Sequence, residues 1–140
     1  HGSLRRLAET DGLTGLANRR HFRERSEAVL AACAERRRPV SVLLLDLDHF
    51  KQINDSFGHG VGDEVLRSFA DLAPRKLRET DALARWGGEE FLLLMPDTTV
   101  DQALLVQRLE LEGKGDDDAE LSEGDRHVGM SALVDLVGHK

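Results

Sequence analysis

The hydrophobic positions change period along the chain, and each change marks an element. Across residues 18–38 the apolar Phe22, Val29, Leu30 and Cys33 recur at helical spacing among arginines and glutamates, which predicts an amphipathic helix. Arg36, Arg37 and Arg38 stand at its end, where cations favour the helix dipole, and Pro39 stops it. Residues 40–45 form a short, nearly continuous apolar run, the mark of a strand buried on both faces, and it closes on Asp46-Leu47-Asp48. Helical material is expected over residues 49–57. Gly58-His59-Gly60-Val61-Gly62 reads as a turn before a second helix, which carries Val65, Leu66, Phe69 and Leu72 on one face and Asp63 at or near its N-cap.

Two further apolar stretches, residues 82–86 and 91–95, flank a tight Gly-Gly-Glu-Glu connection, the pattern of a β-hairpin. Pro96-Asp97-Thr98 offers caps for a third helix, with Ala103, Leu104 and Leu109 expected toward the core. A last strand is expected over residues 128–137. Strand, two helices, hairpin and helix make a mixed α/β order, a central sheet covered by helices.

Composition narrows the class. The chain has 140 residues, 40% of them hydrophobic, enough for one core, so residues 4–140 are taken as one domain and His1-Gly2-Ser3 as a tag remnant. No run of about 18 apolar residues suits a bilayer, and no basic start leads an apolar stretch, so this segment is expected to be soluble. One cysteine, Cys33, suits a core position and a reducing cytoplasm. The net charge of -7 and the lack of a basic stripe exclude duplex nucleic acid, while a small phosphorylated ligand needs only a local site. Residues 113–125 are polar, acidic and aperiodic, which predicts a mobile loop, and their aspartates lack the spacing of a calcium loop.

The strongest chemical signal is a pair of acidic sites on strands expected to be neighbours: Asp46, with Asp48 two residues on, and Glu89-Glu90. Carboxylates held this close repel one another unless a cation lies between them. Oxygen ligands without a His/Cys set favour magnesium, with manganese as the alternative. Gly87 and Gly88 lack a Cβ, so they either admit a bulky ligand or simply make a tight hairpin. Lys51 reads equally as a phosphate contact or a solvated lysine. An Arg and an Asp three apart, Arg78 and Asp81, read as a surface ion pair or as a guanine-binding fork.

Three segments in order carry a family resemblance. Residues 11–20, opening Asp11-Gly12-Leu13-Thr14, residues 46–63, from Asp46-Leu47-Asp48-His49-Phe50-Lys51 to Gly62-Asp63, and Arg85-Trp86-Gly87-Gly88-Glu89-Glu90-Phe91 are similar to the motifs of GGDEF domains. The resemblance implies an α+β fold of nucleotidyl-cyclase type with a mostly antiparallel sheet. It implies a diguanylate cyclase that condenses two GTP into cyclic di-GMP and two pyrophosphates across a homodimer. Carried over by position, Asp46, Glu89 and the Leu47 carbonyl would hold magnesium. Asn54 and Asp63 would bind guanine, and Phe50, Lys51, Gly87 and Gly88 would line the substrate site. Glu90 would help to activate the attacking hydroxyl, and Arg78 with Asp81 would bind cyclic di-GMP as an inhibitor.

The family also implies an upstream sensory domain and, for the parent, a route to membrane attachment. The pattern departs after about residue 111: there is no tyrosine and no terminal segment with the family's phosphate-binding Lys and Arg. The C-terminus is therefore expected to be incomplete relative to the family. The competing expectation is a catalytically weak domain that senses cyclic di-GMP.

Overall fold

The computed structural model describes residues 9–111 and the backbone of residues 130–136. The expected tag remnant and acidic loop lie outside the described residues. Helix α1, Arg19–Glu35, starts where the Asn18 side chain accepts from the His21 amide at 2.9 Å, and it buries Phe22 and Cys33. Its end differs in detail from the expectation. The helix stops at Glu35, where the Arg36 amide donates to the Ala32 carbonyl and the Arg37 amide to the Ala34 carbonyl, and Arg37 takes a left-handed φ of 55°. Arg38 is thereby turned toward Asp97, with Nε 2.9 Å from the carboxylate.

Strand β1, Val40–Leu47, is flanked on both edges: β3, Glu90–Pro96, runs antiparallel on one side and β4, Met130–Leu136, antiparallel on the other. Strand β2, Ala82–Arg85, pairs with β3, which gives the order β2-β3-β1-β4. This is the mostly antiparallel α+β sheet expected. The two faces of β1 are not equally dry. Leu43, Leu45 and Leu47 are fully enclosed with Leu66, Phe91, Leu93, Met95 and Ala103, whereas Val42 and Leu44 on the other face are half-buried. That second face is covered chiefly by α1, through Phe22 and Cys33 with Val40, Ala82, Ala84 and Leu94, and one helix shields less surface than several.

Helices α2, Phe50–Phe57, and α3, His59–Leu72, follow each other with a single residue between them. The stretch expected to be a turn is helix from His59 onward, so Asp63 lies inside α3 and caps nothing. Gly58 alone makes the corner, because its φ of 90° is a left-handed value that costs glycine little. On α3, Leu66 is enclosed and Val65 and Phe69 are partly buried, Phe69 meeting Phe91 edge-on at 4.7 Å. Leu72, expected inside, is 52% exposed at the end of the helix.

Helix α4, Val100–Val106, begins one residue later than its predicted caps, at Thr99, which forms a capping box with Gln102. Ala103 faces the core as expected, while Leu104 on α4 and Leu109 in the π-helical turn Gln107–Leu111 that follows it, both expected inside, are 41% and 45% exposed. Thr98 serves elsewhere: its carbonyl accepts from the buried Ser41 hydroxyl at 2.8 Å, tying the start of α4 to β1.

Because Leu93 is fully enclosed on the helix-rich face, Leu93→Ala should cost about 2–5 kcal/mol of unfolding free energy, read as a lower midpoint in urea with an unchanged slope.

Candidate functional site

The register of β1 on β3 decides what meets at the end of the sheet. Asp46 stands directly opposite Glu90, and the Leu47 amide donates to the Glu89 carbonyl at 3.3 Å. Directly opposed residues share a face, so two carboxylates are held side by side where like charges destabilise a ladder. Asp46 Oδ1 is buried without a hydrogen-bond partner. Burial pushes the Glu89 carboxyl above its ordinary range, and the charges of Asp46 and Glu90 and a hydrogen bond with Asp46 push it the same way.

An orphaned carboxylate oxygen beside a carboxyl that resists ionisation is what a cation would relieve. Among the described residues no group of three or more His, Cys, Asp or Glu side chains is arranged to enclose a metal. A cation met by so few side chains would keep positions for other oxygens, as suits a hard divalent ion.

The hairpin above this pair is anchored by contacts that span the chain. The Trp86 and Gly87 amides both donate to the Glu90 carbonyl, at 2.8 and 3.2 Å. Arg85 then ties the turn from beneath: Nε donates to the Gly87 carbonyl at 3.1 Å, Nη2 to the Gly88 carbonyl at 2.8 Å, and Nη1 to both Asp11 oxygens at 3.2 and 3.3 Å. Asp11 also accepts from the Thr14 amide and hydroxyl. Burial alone would raise the Asp11 carboxyl, but the Thr14 bonds and the Arg85 guanidinium outweigh it and hold it below 3.8. On the other side Trp86 lies against Phe22 and under the Arg19 and Arg23 guanidinium groups, 4.7 and 5.7 Å from the ring centre.

A groove of about 600 Å³ opens between this hairpin and helices α2 and α3. It is lined by Phe50, Lys51, Asn54, Asp63, Gly88, Glu89 and Glu90, which joins most of the residues singled out from the sequence, and by Asp55, His59, Leu66 and Arg85. Asp46 and Leu47 are not part of its lining, and Gly87 faces a separate hollow beside Arg19 and Arg20. Neither hairpin glycine adopts left-handed backbone. Gly88 does leave open space: a Cβ built on it meets nothing within 4 Å.

Arg78 and Asp81 lie elsewhere, in a smaller cavity of about 290 Å³ near the far end of β3, with Lys76, Thr98 and Gln102. Asp81 is 2% exposed at its side chain and accepts from the Arg78 amide at 2.9 Å and from its guanidinium at 3.2 Å. Arg78 also donates to the Pro96 carbonyl and the Thr98 hydroxyl, yet half of its side chain stays exposed. The ion pair and the cavity are thus the same feature.

Sequence reasoning assigned no role to Arg85 beyond membership of a motif, and none to Asp11. Their contact spans 74 residues, and no local spacing signals it. Gly62 was also passed over as a turn residue, although its place inside a helix is a signal that something needs the space.

An antiparallel sheet crossed by helices, with a carboxylate pair beneath a hairpin and a polar groove beside it, defines the class of nucleotidyl-cyclase-like domains. The chain belongs to the family described as diguanylate cyclase, GGDEF domain, which it matches over residues 8–127. It is 46% identical over 110 residues to the response regulator PleD of Caulobacter vibrioides, covering 78% of this chain and 24% of that protein. To the diguanylate cyclase DgcP of Pseudomonas aeruginosa it is 44% identical over 106 residues, covering 75% and 16%. The chain therefore spans a quarter or less of these two curated relatives.

Among solved structures, the coiled coil and GGDEF domain of DgcB from Caulobacter crescentus in complex with c-di-GMP aligns with a TM-score of 0.76 at 28% identity, covering 95% of this chain and 71% of that one. The diguanylate cyclase SiaD in complex with its activator SiaC from Pseudomonas aeruginosa aligns at 0.73 with 35% identity, covering 96% and 51%. No helix among the described residues is long and apolar enough to cross a membrane.

A carboxyl held below its ordinary value stabilises the fold at every pH above that value and loses the contribution as the pH falls through its lowered folded value. Asp11→Asn should therefore melt below the wild type at neutral pH, with the gap constant down to about pH 4 and closing under more acid conditions, as scanning calorimetry across pH would record.

Proposed function

We propose that this domain is a diguanylate cyclase that joins two GTP molecules into cyclic di-GMP in a metal-dependent reaction shared between two copies of the chain. The observation that carries the reading is the Asp46 oxygen, buried and unpartnered, close to a Glu89 carboxyl that burial and the Asp46 charge push above its ordinary range. Magnesium, or manganese in its place, would be held by Asp46, Glu89 and the Leu47 carbonyl, and supplies neutralisation of the triphosphate and a more acidic attacking hydroxyl.

The chain's own residues do the rest. Asp63 accepts from the guanine N1–H and N2 amine, and the Asn54 carboxamide adds a donor and an acceptor, a combination that adenine cannot satisfy. Lys51 supplies positive charge to phosphate from the same helix as Asn54, Phe50 lines the groove, and Gly88 keeps the hairpin free of a side chain where ribose and phosphate pass, while Gly87 borders the neighbouring hollow. In each half-reaction the 3′-oxygen of one GTP forms a bond to the α-phosphorus of the other, the bond to the β-phosphate oxygen breaks, and pyrophosphate leaves. Glu90, in the groove, receives the hydroxyl proton. One chain holds one nucleotide, so two domains must face each other, and positioning supplies much of the rate.

Incubation of the full-length parent with GTP and magnesium should yield cyclic di-GMP on chromatography. Asp46→Asn and Glu89→Ala should each lower turnover by about 100-fold or more, as loss of a transition-state contact worth about 3 kcal/mol does. Asp46→Asn should also raise the melting temperature in metal-free buffer, since it removes a buried repulsion. An enforced dimer of the parent that makes no product excludes the cyclase reading.

A second reading, cyclic di-GMP binding at Arg78 and Asp81, as product feedback in an active cyclase or as sensing in a weak one, is favoured by the cavity those residues line and by the exposed half of the Arg78 guanidinium arm. Its fork suits a guanine Hoogsteen edge or a phosphate. Calorimetry should find cyclic di-GMP affinity at least about tenfold weaker in Arg78→Ala, the loss of one charge-assisted contact. Equal affinity would remove this site.

A further inference from the structure

Helix interiors disfavour glycine more than any residue except proline, yet Gly62 lies within the first turn of α3, buried, with its amide already bonded to the Gly58 carbonyl at 3.3 Å. Its φ is not left-handed, so no turn demands it. What demands it is space. A Cβ built at this position falls on the carboxamide of Asn54 from α2, comes within 2.9 Å of Asn54 Cγ, and is 3.3 Å from Phe50 Cζ.

The obstructed atom is the far end of a flexible side chain. An alanine here would leave the two helices standing and turn the carboxamide out of its seat, while the Phe50 ring restricts where it can go. The neighbouring residue Asp63 and the displaced Asn54 line the same groove.

We infer that Gly62 is a specificity-determining, positioning residue: the bare helix surface it provides is the seat that fixes the Asn54 carboxamide beside Asp63, and through it the preference for guanine over adenine. The inference rests on the assignment of Asn54 and Asp63 to guanine made above, and it assigns Gly62 no contact with the nucleotide itself. Because the effect travels only through Asn54, it must vanish when Asn54 has no carboxamide to displace.

Four proteins test it: wild type, Gly62→Ala, Asn54→Ala and the double variant, each measured for GTP and ATP affinity by calorimetry and for melting temperature without nucleotide. Gly62→Ala should weaken GTP binding about tenfold, the scale of one or two lost hydrogen bonds, and leave ATP binding unchanged. Its GTP-to-ATP ratio should then equal that of Asn54→Ala. The double variant should bind GTP no more weakly than Asn54→Ala alone and should recover the melting temperature lost in Gly62→Ala, since the truncated side chain no longer collides with the new methyl group. Losses in GTP affinity that multiply in the double variant overturn the inference. So does a Gly62→Ala protein that keeps the wild-type ratio while the wild type prefers GTP. A wild type that binds GTP and ATP equally overturns the guanine assignment itself, and this role falls with it.

Discussion

Strand β1 carries an acid into a position where pairing with β3 opposes it to another acid, and much of the site is arranged around that unfavourable pair. Asp46 and Glu90 face each other at the end of a ladder whose preceding residues, Leu43 and Leu45 against Leu93 and Phe91, are fully enclosed. A one-residue slip would move Asp46 off Glu90, onto Phe91 in one direction and onto the equally acidic Glu89 in the other, and would also turn every buried leucine of β1 to the opposite face. Burial along the six pairs that precede the acids therefore holds the register, and the repulsion at its end is tolerated. Local cost at the site is carried by the core, the usual relation between a stable scaffold and a functional centre.

The hairpin that bears Glu89 and Glu90 faces a related problem, since a turn rich in glycine has little of its own to hold it. The solution is external. Arg85 satisfies the Gly87 and Gly88 carbonyls and is itself fixed by Asp11, so the segment before α1 braces the turn after β2. The Arg85 amide bonds to the Ala17 carbonyl, which makes the same connection through the backbone. Trp86, enclosed by Phe22 and two arginines of α1, adds a third contact between these distant parts of the chain.

Strands β2 and β3 run between the groove beside the hairpin and the cavity at Arg78. Arg78 and Asp81 sit where the chain enters β2 and where β3 ends at Pro96, and the hairpin lies at the other end of the same strands. Four paired positions, with Leu93 and Leu94 fully buried, make that connection stiff. A ligand that pulled on Arg78 would act on an element continuous with Glu89 and Glu90 through packed backbone.

Much of this was legible in the residues themselves. The helical spacing of Phe22, Val29, Leu30 and Cys33, the apolar run of β1 and the Gly-Gly-Glu-Glu turn report local periods and turn chemistry, which sequence encodes directly, and the acids of Asp46 and Glu89 announced a charge problem wherever the strands met. Expectations that depended on helix phase fared worse. Leu104 and Leu109 lie outward, Leu109 within a π-helical turn that breaks the α-helical period, and a single left-handed glycine stands where a longer turn was expected before α3. Which acids oppose each other, which arginine holds the hairpin, and which glycine makes room for Asn54 are contacts between residues far apart in the chain, or between the faces of packed helices. Only the tertiary structure decided them, because register and close approach are set by the packing of the whole sheet and its helices.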